Sequence, residues 1–516
     1  MSEGIFELGE NPLRSLIFRQ SSARATSPYL LSAREDRTLA NEELDAEASS
    51  LCAALQTWGV YRGDRFGLIV SDPITSAQCL LTMMSMGLWV APLDPTITYV
   101  DARQADVQAT TLGLRAVAAD RNAPLGAEVS WLDIGELGAW PPRTNTLIRT
   151  SDPQGGLILA SSGTTGSPKV MELSIHQLLE AARLVAGHNG LTPSDRGFNP
   201  LPLWHVNAIV VGLLSSLVSG SSLVLDNRFH RTNFWSTIER CDVTWINAVP
   251  AIIARLSDVA PNEAIPRGIR FIRSASAPLA LAQLARFEEA TGIAVIESYG
   301  MTEAASQICA SPLNGPRKSG SVGRPIGVEL RIGAFDQERS LTPVGNHVVG
   351  QVEIRGPSVI DHYVAMGYED RFDEEKWLRT GDLGYVDEDG YVFLVGRTDD
   401  VINRGGEKIM PRELEEAAMK VDGVLSAAVV AREHDVYGQV PDLFVQLRGV
   451  TSTTSLEQLT ILTKELHDVL VNSFSRTRRP LAINVIEKMP SNATGKIHKR
   501  LLVTDQVSTI YTLPVS

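Results

Sequence analysis

Cysteine is scarce in this sequence of 516 residues, which contains only four cysteines. Cys52, Cys79, Cys241 and Cys309 form no close-spaced pair, so the sequence indicates neither a disulfide framework nor a zinc-binding knuckle. The first ten residues carry three glutamates and no basic residue, which is not the pattern of a secretory signal peptide. We therefore expect reduced thiols and a cytoplasmic location.

A surplus of basic residues is also missing. The chain has 47 lysines and arginines against 60 aspartates and glutamates, which gives a net charge of −13. Affinity for the nucleic-acid backbone needs a basic surface, so we expect no nucleic-acid partner. Any phosphate that the protein binds must be bound by local geometry.

The sequence gives little support for a membrane-spanning helix. The uncharged stretch 207–225 is the one that could suggest such a helix, but two glycines and five serines interrupt it. This stretch predicts a buried helix that leads into a core strand, and we expect no membrane insertion.

The length and the hydrophobic periodicity predict a chain of more than one folding unit. Residues 65–70, 71–87 and 88–92 follow a strand, helix, strand pattern, and the same rhythm recurs over 242–296. Short alternating runs after residue 345 predict a small antiparallel β region. After Asp400, helical and strand patterns predict a separate C-terminal α+β domain. The predicted fold class is α/β, with a large N-terminal domain of layered α/β subdomains plus the small β region.

Residues 157–169 run from an apolar strand into a loop of hydroxyl and glycine residues that ends in a lysine. Such a loop can point backbone N–H groups, hydroxyls and a positive charge at a phosphate. It is not the common P-loop, because no Gly-Lys-Ser or Gly-Lys-Thr is present. In isolation the alternative is a flexible surface loop. Its candidate phosphate-binding residues are Ser161, Ser162, Gly163, Thr164, Thr165, Gly166 and Lys169.

Two further motifs carry groups suited to a nucleotide. Tyr299 ends an apolar strand and could lie against a flat ring, while Thr302 and Glu303 follow at the strand's carboxyl end, where α/β sheets bind ligands. Glu303 offers oxygen ligands to magnesium. Asp382, which we predict to lie on a turn, could accept hydrogen bonds from a ribose diol. Each motif alone also fits an ordinary turn or surface segment.

The proposed domain boundary has its own polar motifs. Arg397 and Asp399 belong to the run 396–400, and Gly405 and Gly406 follow in the run 403–408; such a segment could swivel. Near the end of the chain, Lys496 follows a Gly-bearing turn and could enter a site built by the other domain. A solvated lysine is the alternative.

Together these motifs resemble those of the acyl-adenylate-forming superfamily, which includes acyl-CoA synthetases, aryl-CoA ligases, luciferases and peptide-synthetase adenylation domains. The resemblance covers about residues 157–500. It implies an N-terminal domain of residues 1–397, a hinge at 398–400 centred on Asp399, and a mobile C-terminal domain of residues 401–516. It also implies ATP and Mg²⁺ as nucleotide and metal, and a carboxylic acid that is converted to an acyl adenylate with release of pyrophosphate.

The resemblance assigns a role to each matched residue. By similarity, residues 161–169 bind the β- and γ-phosphates, Thr302 contacts phosphate, and Glu303 binds magnesium. Lys496 bridges the attacking carboxylate and the α-phosphate. The nucleotide contacts that remain are assigned to Ser276, Ala277, Ser298, Tyr299, Asp382 and Arg397.

The acid pocket is also assigned by resemblance. Residues 202–208 match the segment where acid–CoA ligases place a histidine or aromatic residue beside the acyl group, and this segment lacks the aspartate that pairs with an α-ammonium. We therefore expect a small or aromatic acid without an α-amino group. The loop 273–278 matches too, although many relatives have glycine at position 275 or 276. The candidate acid-binding residues are His205, Asn207, Ala275, Gly300 and Met301, and His205 is also a candidate catalytic residue.

The acceptor of the acyl group is the least defined part of the reaction. CoA is expected, with the Gly405-Gly406 loop approaching in the second half-reaction, and Arg476, Arg478 and Arg479 form a basic cluster that could bind its phosphates. Segments 432–439 and 476–480 depart from the usual CoA-ligase pattern. The alternatives are an amine, as in an amide synthetase, or a carrier-protein thiol. A catalytically inactive nucleotide-binding sensor is a further alternative.

Overall fold

The structure is a computed structural model that describes residues 11–57, 60–98, 107, 109–120, 130–133, 155–161, 169–257, 264–334, 345–364, 368–491, 496–504 and 506–515. Within these ranges the chain is a mixed α/β protein with four β-sheets. No helix in the described ranges is long and apolar enough to cross a membrane.

The first sheet contains the predicted strand, helix, strand unit. Strand β3 (Arg65–Ile69) and strand β4 (Trp89–Pro92) are parallel, and helix α3 (Pro73–Ser85) connects them. Asp72 caps α3 by accepting a hydrogen bond from the Thr75 N–H, and Pro73 occupies the first turn. In spatial order the strands of this sheet are β6 (Ser130–Asp133), β5 (Ala116–Ala119), β3 (Arg65–Ile69), β4 (Trp89–Pro92), β7 (Gly156–Ser161) and β8 (Lys169–Ser174).

The second sheet contains the repeat that was predicted over 242–296. Three of its strands, β11 (Trp245–Ala248), β12 (Phe271–Ser274) and β13 (Val295–Tyr299), are parallel, so their carboxyl ends lie at one edge. In spatial order its strands are β15 (Arg324–Pro325), β14 (Cys309–Ala310), β13 (Val295–Tyr299), β12 (Phe271–Ser274), β11 (Trp245–Ala248), β9 (Arg196–Asn199), β10 (Ser222–Leu225), β1 (Pro28–Ser32) and β2 (Thr38–Ala40).

Helices pack around these two sheets and enclose one large core. This core joins buried residues from Leu13 to Val392. The helices are α1 (Pro12–Arg24), α2 (Asn41–Thr57), α3 (Pro73–Ser85), α4 (Pro95–Thr98), α5 (Ile175–His188), α6 (Ser215–Ser219), α7 (Phe234–Arg240), α8 (Pro250–Leu256) and α9 (Leu281–Thr291).

The uncharged stretch 207–225 forms a buried helix followed by a strand, as the sequence predicted. Its first part is a π-helix, Ala208–Leu214, which is buried on all sides and continues into α6. Gly220 ends α6 with a φ of +70°, a conformation that favours glycine. The π-helical turn was not predicted, because an apolar stretch that is buried all round has no periodicity to distinguish it from an α-helix.

The third sheet is the predicted small antiparallel region, and it corrects one prediction. Its strands, in spatial order, are β16 (Glu329–Gly333), β17 (Gly350–Arg355), β18 (Leu378–Val386) and β19 (Val392–Arg397). Asp382 lies inside β18, so the prediction that it occupies a turn was wrong. Gln351 of β17 pairs with Leu383, and Glu353 of β17 pairs with Arg379. Three residues of β18, 380–382, therefore lie opposite one residue of β17, and Gly381 in their middle has a φ of +81°. The Gly-Asp pair therefore forms a bulge, which needs the same backbone freedom as a turn.

The fourth sheet and its helices form a second, separate core. This core joins buried residues from Ile402 to Val515. The strands are β20 (Ile402–Arg404), β21 (Glu407–Ile409), β22 (Val424–His434), β23 (Gly438–Leu447), β24 (Ala482–Ile486) and β25 (Thr509–Pro514), and the helices are α10 (Pro411–Met419), α11 (Leu456–Ser473) and α12 (Lys499–Val503).

Candidate active site

Asp382 is the centre of a hydrogen-bonded trio. Its Oδ2 accepts a hydrogen bond from the Tyr299 hydroxyl at 2.5 Å, and its Oδ1 accepts one from Arg397 Nη1 at 2.8 Å. The Asp382 side chain is only 13% exposed. Burial, followed by the charge of Asp382, raises the pKa of Tyr299 well above its usual value, so the phenol stays a donor. Both oxygens are oriented, and each keeps a lone pair for a ligand.

Two further cationic side chains, those of Lys169 and Arg371, lie near Arg397 of this trio. A Cβ atom placed on Gly381 would lie 3.0 Å from Arg371 Nη1 and 3.0 Å from Arg397 Nη2, so the two guanidinium groups flank this glycine. Burial lowers the pKa of Lys169, and the charges of Arg371 and Arg397 lower it further. The charges of Glu303 and Asp399 raise it, but by less. Cations that repel one another in a partly buried site are stabilised by a polyanion, and a triphosphate provides one.

Glu303 is the acidic member of the same cluster. It lies on a short 3₁₀ helix, Thr302–Ala304, directly after β13, and it is 6% exposed. Its Oε1 accepts a hydrogen bond from the Tyr363 hydroxyl at 2.9 Å. A carboxylate that is fixed in this way, beside groups that would bind phosphate, fits a magnesium ion shared between protein and phosphate oxygens. Glu303 would hold the metal, which would neutralise phosphate charge.

The phosphate loop is described only at its two ends. Ser161 at the end of β7 pairs with Lys169 at the start of β8, so the two strands bring the ends of the loop together. Lys169 lies 5.2 Å from the centre of the Tyr368 ring. The other predicted loop residues, Ser162, Gly163, Thr164, Thr165 and Gly166, lie outside the described residues.

Asn207, one of the predicted acid-binding residues, contacts the segments that follow β11 and β12. Asn207 donates a hydrogen bond to Ser276 Oγ at 3.2 Å and accepts one from Asn247 Nδ2 at 3.0 Å. His205 lies two residues before Asn207, and burial lowers its pKa, which favours the neutral imidazole. The structure therefore brings the 202–208 segment against the 273–278 loop, as the resemblance implied.

Ser276 occupies a backbone conformation that explains why many relatives have glycine in this loop. Its φ is +76°, in the left-handed region that side chains with a Cβ rarely adopt. Such a residue costs roughly 1 kcal/mol or more, which the hydrogen bond from Asn207 offsets. Of its neighbours in the loop, Ala275 is buried and Ala277 is half-buried.

The loop after β13 is folded tightly on itself. A Cβ on Gly300 would lie 1.4 Å from the Ser306 carbonyl oxygen, so only glycine allows this approach. Met301 and Thr302 are partly exposed beyond it. The Ser298 hydroxyl donates a hydrogen bond to the Ser274 carbonyl oxygen at 3.0 Å, which ties β13 to β12.

The segment between the two cores contains the predicted hinge. Asp399 lies in the 3₁₀ helix Thr398–Asp400, between β19 and β20. Lys499 at the start of α12 contacts Glu415 at 2.8 Å and Asp400 at 3.8 Å, so the C-terminal helix rests against the hinge. Lys496 is exposed three residues before Lys499, next to the antiparallel bridge between Ser491 and Ile497.

The predicted acceptor loop is a tight hairpin turn. Gly405 and Gly406 connect β20 to β21 with φ angles of +59° and +97°, and two positive φ angles are the requirement of a type I′ turn. The Gly405 N–H donates a hydrogen bond to the Tyr437 carbonyl oxygen, and the Gly406 N–H donates one to Asn403 Oδ1.

Two arginines of the basic cluster that was predicted to bind CoA contact groups of the protein. Arg479 donates hydrogen bonds to the carbonyl oxygens of Phe474 and Val471 at 2.9 and 2.8 Å, so it caps the end of α11. Arg478 pairs with Glu413. Arg479 therefore has a structural role at the end of this helix, and the binding of CoA phosphate by the basic cluster stays a prediction.

Sequence reasoning missed three residues of the site. Tyr363, Tyr368 and Arg371 all lie in the connection between β17 and β18, and their side chains reach Glu303, Lys169 and the Arg397 guanidinium. No spacing in the sequence marks them. An arginine that follows two tyrosines in a connecting segment gives no signal until the fold places it beside Gly381.

The mixed α/β fold and the cationic cluster beside Asp382 and Glu303 are typical of a protein that binds a nucleotide. The chain belongs to the AMP-binding enzyme family: the family model of the AMP-binding enzyme matches residues 18–368, and that of the AMP-binding enzyme C-terminal domain matches residues 413–496. The predicted membership of the acyl-adenylate-forming superfamily is confirmed.

Two curated relatives are acid–CoA ligases. Sulfoacetate–CoA ligase of Cupriavidus necator is 33% identical over 508 residues, which cover 95% of this chain and 97% of the relative. Oxalate–CoA ligase of Arabidopsis thaliana is 36% identical over 361 residues, which cover 67% of each chain.

A solved structure matches over almost the whole length. The o-succinylbenzoate CoA synthetase of Bacillus subtilis, in complex with its acyl-adenylate intermediate, superposes with a TM-score of 0.79 at 25% identity, and the match covers 94% of this chain and 97% of that chain. The same synthetase has also been solved with ATP and a magnesium ion. The predicted fold class, a large N-terminal and a small C-terminal domain, is confirmed.

Proposed function

We propose that the protein is an AMP-forming acid–CoA ligase that uses the cluster around Asp382 to activate a small or aromatic carboxylic acid without an α-amino group. The observation that carries this function is the clustering of Lys169, Arg371 and Arg397 near Asp382 and Glu303. Such a site can bind ribose, phosphates and a metal ion at the same time.

The chemistry needs little beyond positioning and charge. One oxygen of the substrate carboxylate attacks the α-phosphorus of ATP, the bond between the α-phosphorus and the bridging oxygen breaks, and pyrophosphate leaves. No general base is required, since the carboxylate is already ionised. The cations neutralise charge that grows on the phosphate oxygens. In the second half-reaction the CoA thiol attacks the acyl carbonyl and AMP leaves, with the thiol proton passing to solvent.

The division into domains belongs to the same proposal. Residues 1–397 would form the N-terminal domain, residues 398–400 the hinge and residues 401–516 the mobile domain. The separation of the two buried cores between Val392 and Ile402 supports this division. Rotation about Asp399 would move Lys496 away from the α-phosphate and bring Gly405 and Gly406 to the acyl adenylate.

The relatives support the class of acid. Sulfoacetate, oxalate and o-succinylbenzoate have no amino group, and each has a second acid group besides the carboxyl that is activated. In this chain the 202–208 segment has His205 and Asn207, both uncharged, where an α-ammonium would need a carboxylate.

CoA is the acceptor that the relatives support, since both curated relatives are CoA ligases. Cys79, Cys241 and Cys309 are free cysteines, which fits a cytoplasmic location. A panel of acids with ATP and Mg²⁺, supplied alone or with CoA, hydroxylamine or a phosphopantetheinyl carrier protein, tests the proposal. Acyl-CoA as the main product, identified by mass, supports it. Enzyme-dependent amide or acyl-carrier product without acyl-CoA would replace CoA as the acceptor.

A further inference from the structure

Arg273 is a buried arginine that the nucleotide-binding cluster does not use. It lies on β12 and is 1% exposed. Burial lowers its pKa to about 9, which is far below the usual value for a guanidinium. A charge in such a position is strongly unfavourable unless an opposite charge accompanies it.

The guanidinium is short of hydrogen-bond acceptors. Its Nη2 donates to Gln307 Oε1 at 3.1 Å. Within the part of the chain that the structure describes, Arg273 Nε and Nη1 have no acceptor, and Gln307 Nε2 has none either. Two donors of one cation and one donor of a neighbouring amide therefore lie buried together.

The ionisable neighbour on helix α5 does not compensate the charge. His188 at the end of this helix contacts the Ser311 carbonyl oxygen at 2.9 Å. Burial lowers the pKa of His188, and the charge of Arg273 lowers it further, so the imidazole is neutral near pH 7. Across the described residues, Arg273 has no ion pair with a carboxylate.

Arg273 is also next to the residues that would bind the acid. Its register partner on β11 is Asn247, so the two side chains lie on the same face of the sheet. The Asn247 amide donates a hydrogen bond to Asn207, which contacts Ser276. Arg273 thus lies on the same sheet face as Asn247, the first of a row of buried amides that leads to Ser276, although no hydrogen bond joins Arg273 to Asn247 within the described residues.

Arg273 also contacts the loop that follows β13. Gln307 directly follows Ser306, whose carbonyl oxygen occupies the space beside Gly300. The hydrogen bond to Gln307 therefore joins the guanidinium to the loop that carries Gly300 and Met301.

We propose that Arg273 is a specificity-determining residue that binds a second anionic group, a carboxylate or a sulfonate, at the end of the acid opposite to the carboxylate that is activated. This inference rests on the proposed function and adds the substrate class. A guanidinium presents parallel N–H donors that match the two oxygens of such a group. Gln307 Nε2 supplies a further donor to the same anion. Water would satisfy the donors but would leave the charge uncompensated.

Matched acids test the proposal in the full-length enzyme, with acid-dependent pyrophosphate release as the measurement. Malonate differs from propanoate, and succinate and 3-sulfopropanoate differ from butanoate, by an anionic group in place of a methyl group. We expect kcat/KM for each dianion to exceed that of its matched monoanion by roughly 10² or more, because a site built for a charged partner rejects the analogue that lacks it.

Substitution of Arg273 tests whether this residue causes the preference for dianions over monoanions. Arg273→Met should lower kcat/KM for the dianions by roughly 10² and leave the monoanions within about threefold, with an unchanged KM for ATP. Arg273→Lys keeps the charge without the fork of donors and should retain part of the preference, so it serves as the second variant if Arg273→Met does not fold. Arg65→Met is the matched control, because Arg65 is a buried arginine that pairs with Glu172. It should not change the ratio between dianion and monoanion.

The outcomes distinguish an error in the role of Arg273 from an error in the proposed function. If the wild-type enzyme releases pyrophosphate equally well with malonate and propanoate, or if Arg273→Lys and Arg273→Met both keep the full preference for dianions, the assignment of Arg273 is wrong while the ligase function stands. If neither these acids nor any other acid of the wider panel, aromatic acids included, supports pyrophosphate release, the proposed function itself is wrong.

Discussion

The Tyr299 hydroxyl donates a hydrogen bond to Asp382 Oδ2 across 83 positions of the sequence, at 2.5 Å. This contact joins the end of β13 in the large sheet to the bulge of β18 in the small antiparallel sheet. It orients the carboxylate that is proposed to bind ribose. The other oxygen of that carboxylate is held by Arg397, the last residue of β19.

Tyr299→Phe removes this donor and keeps the ring. A hydrogen bond to an ionised group contributes about 1.5–3 kcal/mol, so we expect a lower free energy of unfolding and an increase of about three- to tenfold in KM for ATP. Tyr391→Phe is the control, because the Tyr391 hydroxyl donates to the Pro316 carbonyl oxygen, at a position outside the cluster. Equal effects of the two substitutions on KM would contradict the role of Tyr299 in orienting Asp382.

Arg371 is the residue of the cationic cluster that sequence reasoning did not identify. Arg371→Ala should lower kcat/KM for ATP by roughly 10² while kcat/KM for the acid at saturating ATP changes less, because the lost charge faces phosphate. Arg371→Lys should retain part of the activity. The exposed Arg183, which pairs only with Glu180 in the described structure, provides Arg183→Ala as a control without effect. An Arg371→Ala enzyme with normal use of ATP would exclude Arg371 from the nucleotide site.

Lys496 is expected to act in the first half-reaction only. Lys496→Ala should lower adenylate formation by at least roughly 10² to 10³ and leave the CoA-dependent consumption of a supplied acyl adenylate near its normal rate. Lys488→Ala, at an exposed position nearby in sequence, is the control. The division of labour between the two domain arrangements would be refuted by an equal loss in both half-reactions.

The hinge proposal is tested by Asp399→Pro. A fixed φ in the 3₁₀ helix Thr398–Asp400 should hinder rotation of the C-terminal domain and slow thioester formation, whereas single-turnover release of pyrophosphate stays nearly intact. Stopped-flow measurement of each half-reaction distinguishes the two. Normal rates in both would place the hinge elsewhere.

Glu297 gives a pH-dependent prediction at the boundary between the two cores. Burial raises its pKa from 4.5 to about 7, with Glu288 and Glu416 raising it and Arg412 and Arg317 lowering it. The folded state therefore holds the proton more tightly than the unfolded state does, and this contribution to stability is lost as the pH rises from about 4.5 to about 7.

Glu297→Gln removes this titration. The free energy of unfolding of Glu297→Gln, relative to that of the parent enzyme, should increase as the pH rises from about 4.5 to about 7 and should stay constant above that range. Glu289→Gln, at an exposed position on α9, should follow the parent. Parallel pH profiles of the Glu297→Gln and parent enzymes would contradict the assigned shift.

The sequence predicted those parts of the fold that local patterns determine. The β3, α3, β4 unit could be predicted because its strands are short apolar runs and Asp72 and Pro73 mark the start of the helix. Asp382 was predicted to lie on a turn because a Gly-Asp pair is typical of turns. The same pair also suits a bulge within a strand, so the local pattern does not distinguish the two. Arg371 and the contact between Tyr299 and Asp382 depend on segments far apart in sequence, which no local pattern brings together.

Acid-dependent exchange of labelled pyrophosphate into ATP, with Mg²⁺ and without CoA, tests adenylate formation most directly. The site around Asp382 predicts exchange that requires the acid and the metal, that needs no acceptor, and that falls by roughly 10² or more when Lys169 is replaced by Ala. The same reaction with CoA should yield acyl-CoA, AMP and pyrophosphate in equal amounts. Formation of ADP and phosphate, or the absence of exchange with every acid of the panel although ATP binds, would contradict the assignment of this protein as an adenylate-forming ligase.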